Sequence, residues 1–273
     1  MKTFGTLVIM RHGERVDYVN KAAGINWTKS ASRPWDTPLT ETGCAQGSAA
    51  GTRISEILRE AGLEQPSAVY SSPMRRCGET ISHAALNFGV ESIAIEEGLV
   101  ESINSDWYRS WGVPDADSTW GGPKGGPKEY EKDALDSRVF QPATELYNTA
   151  EMMNTYDNVK LPVTPRESHF TAKDQTWDNL ETRPDQFSRL RSTVQALCSD
   201  HPSQTVVCCS HGGPCTHVFE ELMQKSWREA GECGYAAISV YKWERDGDEW
   251  KWTLVCVNDC GHLGGKTLGG IIA

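Results

Sequence analysis

The sequence contains no apolar run approaching the roughly 18 residues a membrane-spanning helix needs. Its N-terminal Leu7-Val8-Ile9-Met10 is cut off by Arg11, too early for the core of a secretion signal. A cytoplasmic protein without a membrane partner is therefore expected. Clustered positive charge is also missing. The 27 Lys and Arg residues stand against 37 Asp and Glu, a formal net charge of -10, and no basic patch offers a phosphate-tracking surface for nucleic acid. The nine cysteines show no paired metal-ligand spacing, and no His-Glu-x-x-His occurs. His211 and His217, six apart, do not share a helical face as metal ligands would. Neither a metal nor another cofactor is expected. Gly265-Lys266-Thr267 is not a phosphate loop, because Cys260 stands where that loop requires glycine. An odd cysteine count, with Cys208 and Cys209 adjacent in an apolar run, reads as reduced core thiols.

What is present is an alternation of strand and helix patterns over 273 residues, long enough for two domains or for one α/β domain with a long insertion. The single-domain reading, 1–273, is adopted. Residues 7–10, 67–70, 93–95 and 205–209 read as short buried strands. Ala45, Ala49, Ile54, Ile57, Leu58 and Ala61 recur at helical spacing between a Thr40 cap and a Gly62 stop. Further helices are expected from Pro73 through Phe88, on Phe187, Leu190, Val194 and Leu197, and around Val218, Phe219 and Leu222. Residues 235–243 and 250–257 read as closing strands, joined by a charged hairpin turn over 244–249. This order predicts a three-layer α/β/α fold with a mostly parallel sheet and a ligand site at the carboxyl ends of its strands. The rhythm breaks over about 104–183, a tryptophan- and proline-bearing insertion whose glycine-rich 121–127 stretch suggests a flexible lid.

Four segments fall just after expected strands: Arg11-His12-Gly13-Glu14-Arg15, Arg75-Arg76, Glu101 and Ser210-His211-Gly212-Gly213. Arginines at strand ends offer planar forks to phosphate oxygens. A neutral imidazole can attack phosphorus, and Gly13 would let backbone approach the anion. His83, His169, His201 and His217 lie outside any motif, so structural or surface roles are the default for them.

These segments resemble the histidine phosphatase superfamily, the phosphoglycerate mutase-like fold. The likeness extends to Pro38-Leu39-Thr40 with Gly43, Ser71-Ser72-Pro73 with Arg76 and Thr80, Glu96 to Glu101, and Asn258-Asp259 with His262-Leu263. The continuation Glu14-Arg15 is similar to the branch that holds the phosphatase domain of the suppressors of T-cell receptor signalling and the insect ecdysteroid-phosphate phosphatases. The resemblance implies that His12 is the nucleophile that becomes phosphohistidine. It implies that Arg11, Arg76 and His211 bind the phosphoryl group, and that Arg15 is the additional arginine of the branch. Arg76 is preferred to Arg75 because it stands four residues before Thr80. Glu101, two beyond Leu99, matches the proton donor, with Glu96 and Glu97 as neighbouring alternatives. Gly13 and His262 are second-layer candidates, His262 either orienting the site or capping a turn.

The expected activity is thus metal-independent hydrolysis of a phosphomonoester, in the manner of histidine acid phosphatases, through a phosphohistidine. The alternatives are a phosphoglycerate-type mutase or sugar bisphosphatase, and a phospho-ligand binding protein without turnover. A small-molecule or phosphotyrosine-type substrate is expected, with self-association left open. Trp27, Trp35, Trp107 and Trp111 either form aromatic walls for the leaving group or a satellite core.

Overall fold

The computed structural model describes residues 2–170 and 174–264. Gly265-Lys266-Thr267 lies outside the described residues. In chain order the elements begin with β1 (Thr3–Arg11), α1 (Val16–Ala22), α2 (Glu41–Glu60), β2 (Pro66–Ser71), α3 (Arg75–Ala85) and β3 (Ile93–Ile95). They continue with α4 (Ser105–Arg109), α5 (Ala150–Met153), β4 (Val163–Thr164), α6 (Arg183–Asp200), β5 (Thr205–Ser210) and α7 (Gly212–Met223). The last are α8 (Trp227–Ala230), β6 (Ile238–Asp246) and β7 (Glu249–Asp259).

The strands form one sheet in the order β4-β3-β2-β5-β1-β6-β7. The first five run parallel, while β6 and β7 are antiparallel additions beside β1. The apolar runs lack polar alternation because both faces of the sheet are covered. Leu7, Ile9, Val206 and Cys208 pack under α6 and α7, against Leu190, Val194, Val218 and Phe219. Val8, Met10, Val207 and Cys209 face the other way, onto Ala50, Ile54 and Leu58 of α2 and Ile81 of α3. Adjacent Cys208 and Cys209 therefore belong to opposite cores.

Local signals explain most boundaries. Thr40 caps α2, its Oγ1 accepting from the Gly43 amide at 3.0 Å, and Gly62 ends the helix at φ +65°. A Thr182–Asp185 capping box starts α6, four residues before the first apolar position that marked it in the sequence. The closing hairpin is longer than its composition predicts, since charged residues through Asp246 and from Glu249 continue the ladder and leave Gly247-Asp248 as the turn. Conversely β6 begins only at Ile238. Tyr235-Ala236-Ala237 instead forms a turn, with Ala236 at φ +51°, that brings the Ala236 amide to the His12 carbonyl at 3.2 Å. Helix α3 spans Arg75–Ala85, a shorter reach than 73–88.

The insertion holds short helices, 3-10 turns and the edge strand β4. Trp35, Trp107 and Trp111 are buried there together with Tyr108, Val139 and Leu146, with Trp35 and Trp111 rings 4.9 Å apart. Their satellite-core role replaces the aromatic-wall expectation, because these rings are used up in packing one another. The 121–127 stretch is held by Arg109, which donates to the carbonyls of Gly121 (2.7 Å), Pro127 (2.8 Å) and Lys128 (2.6 Å).

Candidate active site

The parallel pairing of β1 with β5 sets Arg11 beside Ser210, so the residues that follow the two strands, His12 and His211, emerge together at the carboxyl end of the sheet. The His12 amide donates to the Ser210 carbonyl at 3.0 Å, and the two imidazoles stand edge to face with centroids 5.4 Å apart. His12 Nδ1 lies 2.8 Å from the Gly13 carbonyl. A carbonyl only accepts, so Nδ1 carries the hydrogen and Nε2 keeps the lone pair. Burial, then the charges of Arg76, Arg11 and Arg15, hold the His12 pKa well below its usual 6.5, which keeps the ring neutral. His211 is likewise kept neutral by burial and by Arg76. Its Nε2 meets Ser72 Oγ at 2.8 Å and its Nδ1 faces Glu101 Oε2 at 3.6 Å.

Three arginines surround this pair. Arg11 donates to the Cys233 carbonyl at 2.7 Å and lies over the Tyr235 ring. Arg15 forks onto both oxygens of buried Asp17, which raises its already high pKa, and covers Tyr18. Arg76 is 1% exposed, makes one bond of 3.2 Å to the Trp35 carbonyl, and has a buried Nε with no partner among the described residues. A buried guanidinium so sparsely partnered is suited to an anion. Arg75 instead bonds Glu79 at 2.7 Å and stacks over Tyr156, turned to a different set of partners.

Glu101 follows the 3-10 turn Glu97–Leu99 and is 5% exposed. Its Oε1 accepts from the Ser102 amide at 3.0 Å. Burial raises its pKa against the opposing pull of Arg76, favouring a carboxyl that holds its proton. Glu96 does other work: its carboxylate accepts from the amides of Gly98 and His169. Neither Glu96 nor Glu97 lines the cavity that Glu101 borders.

Neither Gly13 nor His262 lines that cavity. The Gly13 amide donates to Thr80 Oγ1 at 2.9 Å, and a Cβ there would lie 2.5 Å from the Gly43 carbonyl. Its glycine is required by the approach of α2; the amide is already engaged within the protein. His262 lies on the 3-10 turn Gly261–Leu263, beyond the cavity lining, because that turn packs onto α2 instead.

Arg11, His12, Arg15 and Glu101 open on a cavity of about 410 Å³ whose outer wall includes Tyr18, Trp120, Gln186, His217 and Trp227. His217, for which a structural or surface role is the default expectation, lines this cavity, its ring tilted against that of Phe187 with centroids 4.9 Å apart. Its pKa is pushed down to about 4 by burial and by Arg183. A usable signal was present: Gly213, Thr216, His217 and Glu220 fall on one face of a helix that starts at the His211 segment, opposite apolar Cys215, Phe219 and Leu222. Ser72 and Asp17, which hold His211 and Arg15, were also missed as site residues, since neither residue type is distinctive on its own.

A model of the histidine phosphatase superfamily (branch 1) matches residues 7–113 and 147–259. The chain belongs to the histidine phosphatase superfamily. It is 33% identical over 166 residues to the ecdysteroid-phosphate phosphatase of Drosophila melanogaster, a match that covers 51% of this chain and 20% of that protein. The chain thus spans only a small part of that relative's length. The ecdysone phosphate phosphatase of Bombix mori, solved in complex with tungstate, superposes with a TM-score of 0.56 at 20% identity, covering 93% of this chain and 94% of the other. A mycobacterial glucosyl-3-phosphoglycerate phosphatase gives 0.53 at 19% identity, covering 93% and 98%. These two likenesses establish the fold. Among the described residues, no helix is long and apolar enough to cross a membrane, and no group of three or more His, Cys, Asp or Glu side chains could hold a metal ion.

Proposed function

We propose that the protein is a cytoplasmic, metal-independent phosphomonoesterase that transfers the phosphoryl group to His12 and then to water. The observation that carries this reading is His12, its Nδ1 turned to the Gly13 carbonyl so that the Nε2 lone pair is left available, set among three buried or half-buried arginines. His12 Nε2 attacks phosphorus, the P–O ester bond breaks, and Glu101 gives its proton to the leaving oxygen. The resulting Glu101 carboxylate takes a proton from water, whose oxygen attacks phosphorus and breaks the P–N bond. Phosphate leaves, and both groups return to their starting states. Arg11, Arg15, Arg76 and His211 hold the non-bridging oxygens, so that charge neutralisation rests on protein groups already in place. The domain reading that supports this is one catalytic unit in which residues 104–183 wall the substrate side.

Aryl phosphomonoesters, phosphotyrosine among them, are the favoured substrates. Tyr18, Trp120 and Trp227 offer faces to a leaving group, in the role first expected of Trp27, Trp35, Trp107 and Trp111. The related insect phosphatases, named for ecdysteroid phosphates, are consistent with a bulky leaving group. The test compares phosphate release from phosphotyrosine and 4-nitrophenyl phosphate with interconversion of 2- and 3-phosphoglycerate, each with and without EDTA. Release that is unaffected by chelation and faster than interconversion is expected. Dominant interconversion, or activity lost to EDTA and restored by magnesium or zinc, would overturn the proposal.

The pH dependence follows from the two environments. His12 acts when neutral, so activity rises with pH through a pKa below the ordinary 6.5. Glu101 acts when protonated, so activity falls as pH rises through a pKa above the ordinary 4.5. In kcat/KM profiles of wild type and Glu101→Gln, the alkaline limb due to Glu101 is expected to vanish in the variant. Substrate ionisation, common to both, cancels in their ratio. An unchanged alkaline limb would remove Glu101 from the role of acid.

A further inference from the structure

An arginine side chain carries five N–H donors in one rigid plane. In Arg189, on α6 and outside the cavity lining, all five have acceptors. Nε and Nη2 clasp the two carboxylate oxygens of Glu181 at 2.6 and 2.8 Å. Nη1 donates to the carbonyls of Gly98 (2.8 Å) and Val100 (3.1 Å), and Nη2 also reaches the carbonyl of Glu101 at 3.4 Å. Both side chains are 0% exposed. Glu181 in turn closes the base of the insertion: its amide donates to the Ile103 carbonyl at 3.1 Å, and its Oε2 accepts from the Ile103 amide at 3.4 Å. The Gly98 end of this loop presses on α6, where a Cβ would lie 2.1 Å from Thr193 Oγ1.

We infer that Arg189, held by Glu181, is a positioning residue that sets the backbone of residues 98–101 and thereby aims the Glu101 carboxyl at the leaving oxygen. This rests on the reading of Glu101 as proton donor. A carboxyl that donates in the transition state must stand within hydrogen-bond reach of one oxygen, and its backbone sits on a short irregular segment with no regular strand or helix to fix it. One planar cation gathering three of its carbonyls supplies that rigidity. Because the bonds go to backbone oxygens, the identity of the Glu101 side chain does not affect them, and the two contributions can be separated by mutation.

The experiment uses two substrates, 4-nitrophenyl phosphate, whose leaving phenolate hardly needs a proton, and phenyl phosphate, whose leaving group does. Arg189→Lys keeps the charge facing Glu181 but removes the fork. It is expected to lower kcat/KM, which covers only the steps up to cleavage of the ester bond, by about 10- to 100-fold on phenyl phosphate and by less than about 3-fold on 4-nitrophenyl phosphate. Placed in a Glu101→Gln background, it should cause no further loss on phenyl phosphate. If Arg189→Lys does not fold, as judged by circular dichroism, Glu181→Gln should give the same split between substrates. Equal losses on both substrates, no loss on either, or additive losses in the double variant would overturn the inference. Glu101→Gln lowering kcat/KM equally on both substrates would instead remove the proton-donor reading, and the inference with it.

Discussion

His12→Ala is expected to lower turnover by at least about four orders of magnitude while leaving the fold intact, because the variant has no atom that can form the covalent intermediate. Its side chain is 1% exposed and makes a single bond, to the neighbouring Gly13 carbonyl, whereas the His12 backbone is held separately by Ser210 and Ala236. Truncation therefore leaves the strand ends where they are. The remaining arginines could still bind phosphate, so inhibition by inorganic phosphate or vanadate should shift far less than kcat. Two measurements check this result: phosphate release by the purified variant, and alkaline-quench labelling of wild type, which should trap a base-stable, acid-labile phosphoryl group that His12→Ala lacks. Hydrolysis retained by the variant would mean that water attacks phosphorus directly and that the phosphohistidine route is wrong.

Residues near the ends of β1, β2 and β5 were legible in the sequence because a short apolar run followed by charge marks both a buried strand and its exit into the site. Arg11, His12, Arg76, Glu101 and His211 stand out on that basis together with family resemblance, and the fold brings them to the carboxyl ends of the inner strands. What could not be read was which partner each group would find across long sequence separations. The Arg189–Glu181 pair lies 8 residues apart, yet its meaning comes from carbonyls about 90 residues away in sequence, which have no side-chain signature. The tryptophans stay open between two roles in the sequence for a related reason. Composition fixes how many large rings the insertion contains, whereas the choice between core and cavity depends on short irregular turns such as those that bury Trp107 and leave Trp120 at the cavity wall. Gly13 shows the same limit at one residue: an Arg-His-Gly run suggests close approach of backbone, but the approaching group is the Gly43 backbone.

Arg76 and Arg189 are both fully buried guanidinium groups, and the contrast between them gives the second large expected effect. Arg189 has acceptors for every donor and a carboxylate clasped to it, so its removal would strand a buried charge on Glu181. Arg76 has one carbonyl and no ion pair among the described residues, and burial together with the charge of Arg15 lowers its pKa. In the absence of substrate its charge is a cost carried by the fold; on the proposed mechanism, a bound phosphoryl group would offset that cost. Arg76→Met is accordingly expected to reduce kcat/KM by about 10²- to 10³-fold, as for loss of one oxyanion donor. The same substitution should leave the stability of the substrate-free protein unchanged or raise it by about 1–3 kcal/mol, by exchanging an underpartnered buried cation for an apolar side chain of similar length. Wild type should gain thermal stability on adding inorganic phosphate or vanadate, and Arg76→Met should lose most of that gain. Thermal melts with and without vanadate, set beside steady-state kinetics, separate the two effects. A variant that melts several degrees lower with kinetics intact would show that Arg76 holds the fold and not the phosphoryl group.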